Sequence, residues 1–243
     1  MITRMVTMPA IVDRPSPNFN ERPTGVPVDI LVLHYTGMPT AEGALQRLCD
    51  PETKVSAHYT IDEDGTVYRH VAEGKRAWHA GVSYWAGARD INDRSIGIEI
   101  VNPGHEFGYR DFPAAQIAAL IDLTRGILKR HPIPPKRVLG HSDVAPQRKI
   151  DPGEKFPWRQ LAAKGIGIWP PHPRLDMSRA IQVPAIQRDL VAIGYECPES
   201  GVLDEATRAA VSAFQRHFRP RDVSGIPDGE TAALAALLAR EHG

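Results

Sequence analysis

Two histidines in this 243-residue sequence close short apolar runs: His34 follows Ile30-Leu-Val-Leu33, and His141 follows Val138-Leu-Gly140. Loops at the ends of sheet strands gather ligands, so each imidazole is a candidate for chemistry, although a lone strand-end histidine is also explained by a packed, hydrogen-bonded role. Ten residues past His141, Lys149-Ile-Asp-Pro-Gly153 sets Asp151 ahead of a proline and a glycine, a sharp turn that presents its carboxylate on a rigid loop. Two imidazoles and one carboxylate make a catalytic zinc set. Zinc takes four tetrahedral ligands, and a protein supplying three leaves a position for water, whose pKa falls from about 15.7 to about 7 on binding. The proton of that water needs an acceptor. Glu99 interrupts the apolar stretch Ser95-Ile-Gly-Ile-Glu-Ile-Val101 and has no partner nearby in sequence, so it is either that acceptor or half of a buried ion pair.

The elements that must position these residues are legible in outline. The continuous run Ile30 to Leu33 reads as a strand buried on both faces. Segments 58–62 and 67–71 flank Glu63-Asp-Gly-Thr66, a turn signal, and form a hairpin. In 95–101, Ile96, Ile98 and Ile100 share one face while Gly97 and Glu99 share the other, which puts a carboxylate mid-strand. Pro113 opens a helix to about Arg130, carried by Ile117, Leu120, Ile121, Thr124 and Leu128 and ended by Pro132, Pro134 and Pro135. A short strand over 137–142 finishes at His141, and a short helix begins near Trp158. The alternation predicts an α/β domain, a mixed central β-sheet flanked by helices.

Prolines 170, 171 and 173 mark a connection, which divides the chain into 1–173 and 174–243. After Arg174 there are seven Arg, ten acidic residues and no Lys, a net of −3 that leaves +3 before it. The second part is helical throughout. One helix from about Pro184 carries Ile186, Leu190 and Ile193; a second, capped by Asp204, carries Val211, Phe214 and Phe218 as core; a third, capped by Asp228, carries Leu234, Leu237 and Leu238. This small three-helix domain is too small to be robust alone and is expected to lean on the first.

Composition excludes several classes. Lys+Arg and Asp+Glu both number 29, so no net field draws the chain to nucleic acid or an anionic membrane. At 42% hydrophobic and 24% charged residues, it is neither disordered nor fibrous. Cys49 and Cys197 offer no C-x-x-C pattern and read as two free thiols. No apolar run reaches the ~18 residues of a membrane span, and Thr7 and Pro9 interrupt the one stretch, Met5 to Val12, that resembles a signal core. P-loop, H-E-x-x-H and G-x-S-x-G motifs are absent from the sequence.

Six blocks, in order and at matching spacing, carry a family resemblance. They are His34-Tyr-Thr, Ser56-Ala-His-Tyr-Thr-Ile with Asp64-Gly65, Trp78-His-Ala-Gly81, Asn92-Asp-Arg-Ser-Ile-Gly-Ile-Glu99, Gly140-His-Ser-Asp143 and Ala145-Pro-Gln-Arg-Lys-Ile-Asp-Pro-Gly153. Over about 18–169 the chain resembles the zinc-dependent N-acetylmuramoyl-L-alanine amidases of the amidase_2 group, in their AmpD/AmiD branch, relatives of the peptidoglycan recognition proteins. Ala213-Phe-Gln215 with Asp228-Gly-Glu-Thr231 resembles a peptidoglycan-binding helical domain. There Pro220-Arg-Asp-Val-Ser-Gly225 differs from the usual Gly-rich sugar-binding loop, which leaves a sugar-binding and a structural role both open.

The resemblance implies a peptidoglycan-recognition-protein-like sheet and one Zn2+ per chain on His34, His141 and Asp151, with Asp151 standing where some relatives carry Cys. It makes Glu99 the general base, which also passes the proton to the leaving amine. Lys149 becomes the cation facing the developing oxyanion, a sensible role because a fixed ammonium favours that charge over the ground-state carbonyl. Trp78, His79, Asn92 and Arg148 would touch the sugar or the stem-peptide carboxylates. His58 would pack or orient a neighbour, and His70, His105, His131, His172, His217 and His242 would be surface or loop histidines.

The implied reaction is hydrolysis of the amide bond between N-acetylmuramic acid, in its 1,6-anhydro form, and L-alanine of muropeptides or peptidoglycan, without nucleic acid or membrane insertion. The alternatives are a non-catalytic muropeptide recognition module, against which the intact ligand set with Glu99 and Lys149 speaks, and a zinc peptidase cutting the stem peptide. With no usable export signal or lipidation cysteine after Met1, the expected place is cytoplasmic recycling. The binding-type helical domain is the argument for the alternative, a periplasmic or envelope enzyme.

Overall fold

The computed structural model describes residues 11–170 and 181–242, so the expected boundary at 173/174 and His172 lie outside the described residues. In chain order the elements are β1 (Ile11–Asp13), β2 (Phe19–Glu21), β3 (Ile30–Tyr35), α1 (Ala41–Cys49), β4 (Tyr59–Ile61), β5 (Val67–Arg69), β6 (Lys75–Ala77), β7 (Tyr84–Trp85), β8 (Ala88–Arg89), β9 (Ser95–Ile100), α2 (Gly104–Phe107), α3 (Ala114–Arg130), β10 (Val138–Gly140), α4 (His141–Val144), α5 (Trp158–Ala162), α6 (Val183–Ile193), α7 (Glu205–Phe218) and α8 (Gly229–His242).

The central sheet has the order β1-β5-β4-β9-β3-β10. Every pairing is parallel except the β4–β5 hairpin, so the sheet is mixed. β3 has parallel neighbours on both sides, β9 and β10, which is why its run is apolar without interruption and buried from Ile30 to Leu33. Its alternation divides the core. Leu31 and Leu33, with Ile96, Ile98 and Ile100, pack on Ile117, Leu120 and Leu123 of α3 and on Trp158 and Leu161 of α5. Ile30 and Val32 belong to a second cluster with Trp85, Ile91, Leu139 and Val144, completed by Ile186, Leu190, Tyr195, Phe214, Leu234 and Leu238. The C-terminal helices thus cover the opposite sheet face, as the size argument required.

α3 is tied to the sheet by buried Gln116, whose Nε2 donates to the carbonyls of Ile61 and Val101. Asp204 caps α7 by accepting from Thr207 N, and Asp228 accepts from Thr231 N at the start of α8.

One boundary differs from expectation. The strand expected over 137–142 stops at Gly140, and His141 begins the one-turn helix α4, because Asp143 Oδ2 accepts from Gly140 N at 2.7 Å and turns the chain. The sequence reading also passes over α1, which Thr40 caps through Gly43 N, and the short pairs β2–β6 and β7–β8. Cys49 and Cys197 are free and half-buried. No helix among the described residues is long and apolar enough to cross a membrane.

Candidate metal centre

The sheet register sets the centre. His34, at the end of β3, is the partner of Glu99 on β9, and both follow the alternation onto the face opposite Leu33 and Ile98. His141 opens α4 beside them. Asp151 comes from the 149–153 turn, where the Asp151–Pro152 peptide is cis, Ser142 N donates to Asp151 O at 2.9 Å, and Tyr109 Oη donates to Pro152 O at 2.8 Å.

His34 Nδ1 lies 2.9 Å from His141 Nδ1 and 3.2 Å from Asp151 Oδ2, and His141 Nδ1 lies 3.0 Å from the same oxygen. Two ring nitrogens that close share at most one proton, so at least one lone pair must point at a common centre. The outer contacts select which nitrogens face inward. His141 Nε2 donates to Ala80 O at 3.0 Å, while His34 Nε2 faces His79 Nδ1 at 3.1 Å and His79 Nε2 faces Ser95 Oγ at 3.1 Å. With the Nε2 edges engaged, both Nδ1 atoms are free to be ligands. Burial, then the neighbouring His141, pulls His34 down to about 4, which keeps it neutral at pH 7, the form a metal needs. Burial pushes Asp151 up, but the adjacent imidazoles overcome this and hold it well below the usual carboxylate range. These three residues form a buried group able to hold a metal ion, and an N,N,O set suits a divalent cation of zinc's kind.

Beside this group, Glu99 Oε2 is sealed from solvent and accepts no hydrogen bond among the described residues. Burial, then the Asp151 charge, raises its pKa well above the carboxylate range, with Lys149 opposing. Glu99, Lys149, His141 and Asp151 line one cavity of about 500 Å³ together with Trp78, His79, Arg148 and, unforeseen from sequence, Tyr35, Met38 and Arg47. Trp78 Nε1 is fixed on Asn20 Oδ1 at 2.6 Å. Arg148 Nη2 is committed to the carbonyls of Ala80 and Val82.

Other expectations are corrected. Asn92 is buried and is not among the residues that line the cavity; its Oδ1 accepts from His79 N and Ala80 N, so it shapes the backbone behind the site. His70 and His217 are buried, not surface histidines. His58 packs as expected: its Nδ1 accepts from Gly97 N and its Nε2 faces Lys75 O. Sequence gave no signal for Arg22, whose half-buried guanidinium donates to the carbonyls of Glu73, Asn92, Asp93 and Ser95, since those partners lie 51 to 73 residues away.

Residues 24–154 match the family model described as N-acetylmuramoyl-L-alanine amidase, and residues 179–234 match a peptidoglycan binding domain family. The N-acetylmuramoyl-L-alanine amidase AmiD of Escherichia coli K12 is 37% identical over 235 residues, covering 89% of this chain and 84% of that protein. The chain belongs to the N-acetylmuramoyl-L-alanine amidase family. The 1,6-anhydro-N-acetylmuramyl-L-alanine amidase AmpD of Haemophilus influenzae is 36% identical over 163 residues, 60% of this chain and 86% of its own length, and so parallels the amidase part. The solved complex of E. coli AmiD with anhydro-N-acetylmuramic acid-L-Ala-D-γ-Glu-L-Lys superposes with a TM-score of 0.81 at 35% identity, covering 93% of this chain and 98% of that one. The amidase match ends one residue past Gly153, so His34, Glu99, His141, Lys149 and Asp151 all lie within it.

Proposed function

We propose that this amidase uses Zn2+ on His34, His141 and Asp151 to hydrolyse the amide bond joining 1,6-anhydro-N-acetylmuramic acid to L-alanine in muropeptides. The observation that carries the reading is the convergence of three buried ligand atoms beside a lysine and a carboxylate oxygen that has no hydrogen-bond partner among the described residues, all at one cleft. The ion, when bound, acidifies water and polarises the carbonyl. Glu99 takes a proton from the attacking water and passes it to the alanine nitrogen as the carbon–nitrogen bond breaks. Lys149 Nζ makes no hydrogen bond among the described residues, which leaves it free to face the oxyanion. Trp78, its indole nitrogen anchored, offers a rigid face to the sugar, and exposed Arg47 at the cleft suits a stem-peptide carboxylate.

The substrate's form is supported by solved relatives bound to anhydromuropeptides: the AmiD complex, and AmpDh3 of Pseudomonas aeruginosa with anhydromuramic pentapeptide, which has a TM-score of 0.75 at 37% identity and covers 91% of this chain. A place in cytoplasmic recycling is supported by the zero net charge, which gives no pull to a polyanionic envelope; cell fractionation tests it. The deciding experiment incubates the enzyme with anhydro-N-acetylmuramyl-tripeptide, with and without chelator, and identifies products by mass spectrometry. Free tripeptide, lost on chelation and restored by zinc, is the expected result; cleavage inside the peptide, or full turnover after exhaustive chelation, overturns the reading.

A further inference from the structure

α4 joins the metal centre to the C-terminal helices. Its first residue is His141, its second donates Ser142 N to Asp151 O, and its third is Asp143, so four residues carry one candidate ligand and tether another. Asp143 is 1% exposed, and three donors converge on it. Gly140 N reaches Oδ2 at 2.7 Å from within the turn. The other two come from the helical unit: Tyr195 Oη to Oδ1 at 2.7 Å, and His217 Nδ1 to Oδ2 at 2.7 Å.

Both distant donors are rigidly held. The His217 ring is stacked between Trp158 at 3.8 Å and Phe218 at 4.0 Å, and its Nε2 is buried with no partner among the described residues, so Asp143 takes its only polar contact. Tyr195 stands edge-on to Trp85 at 4.9 Å and is 1% exposed. A buried carboxylate that accepts from fixed donors on both oxygens cannot rotate, and neither can the turn it belongs to.

We infer that Tyr195 and His217 are positioning residues for the metal centre: the C-terminal unit holds α4, and through it His141 and Asp151, in the geometry the metal requires. This rests on the reading of His34, His141 and Asp151 as ligands. It gives the helical unit a task at the catalytic centre that is independent of any binding of wall polymer.

The test measures zinc dissociation constants by competition with a chromophoric chelator on full-length Tyr195→Phe, His217→Phe, His217→Asn and Arg89→Ala, with thermal midpoints and zinc-saturated kcat and KM alongside. Tyr195→Phe and His217→Phe keep the rings and lose the donors; each is expected to weaken zinc about 10-fold, the range of outer-shell contacts, and to lower kcat with little change in KM. His217→Asn, which restores a donor near the Nδ1 position, recovers most of that affinity. Arg89→Ala removes an exposed contact to Glu196 that lies between the same two units and does not touch Asp143, and it leaves zinc affinity unchanged. Wild-type zinc affinity in both Tyr195→Phe and His217→Phe, or an equal loss in Arg89→Ala, overturns the inference while sparing the ligand reading. A wild-type protein that takes up no zinc removes both. Should His217→Phe fail to fold, the more conservative Tyr195→Phe decides.

Discussion

His34 and Glu99 are register partners on the adjacent parallel strands β3 and β9. Paired residues leave a sheet on the same side, so the candidate ligand and the candidate base are fixed relative to each other by backbone hydrogen bonds and not by loop packing. Glu99→Gln changes one oxygen to an amide and leaves that frame in place. It is expected to lower kcat by about 10²–10⁴-fold while zinc content, read by elemental analysis, stays at the wild-type level. Near-normal turnover removes Glu99 from the mechanism.

Lys149→Met keeps the length of the side chain and deletes its charge. Since its role is assigned to the oxyanion, kcat should fall by about 10²–10³-fold with KM within a few-fold of wild type. Steady-state kinetics on the anhydromuropeptide separate the two constants, and a change confined to KM would move Lys149 to substrate binding.

Gly97 lies on β9 where the His79 ring closes over the backbone, and a Cβ there would overlap that ring. Gly97→Ala should displace His79 from His34 and weaken zinc binding by about 10-fold. Chelator competition checks this, and unchanged zinc affinity would show that His79 does not orient His34.

The buried His58 makes stability depend on pH. Burial first of all brings its pKa down to about 3, and the neutral ring is matched to its surroundings because Nδ1 accepts from Gly97 N. Between pH 6.5 and 3 the unfolded chain therefore binds a proton that the folded one refuses. Its contribution is complete above pH 6.5 and is lost as pH falls toward 3, at up to about 1.4 kcal/mol per pH unit. Urea titrations of the metal-free protein at a series of pH values should show this slope, reduced by up to one proton in His58→Asn; an unaltered slope would clear His58 of the effect.

The candidate ligand group is legible in the sequence because each member ends an apolar run or begins a Pro-Gly turn, features that depend on a few adjacent residues. Glu99 is legible by contrast with the isoleucines around it. Its pairing with His34 is not, since 65 residues separate them and linear order carries no record of which parallel strands lie side by side. The backbone role of Asn92 is not legible either, since its Oδ1 partners, His79 N and Ala80 N, lie 13 and 12 residues earlier in the chain. His217 is hidden for a related reason: its partner, Asp143, lies 74 residues earlier in what the sequence presents as another domain. The long helix α3 is read correctly, and α1 is missed, because a 17-residue periodicity stands out where a 9-residue one containing Gly43 does not.

The helices α6 to α8 share one hydrophobic cluster with Ile30, Val32 and Trp85 of the sheet. The join between the two family matches is consequently a poor crossover point for recombination. A shuffled descendant that exchanged everything after the amidase match would lose the helices that cover Ile30 and Val32 and would expose an oily sheet face, an aggregation liability.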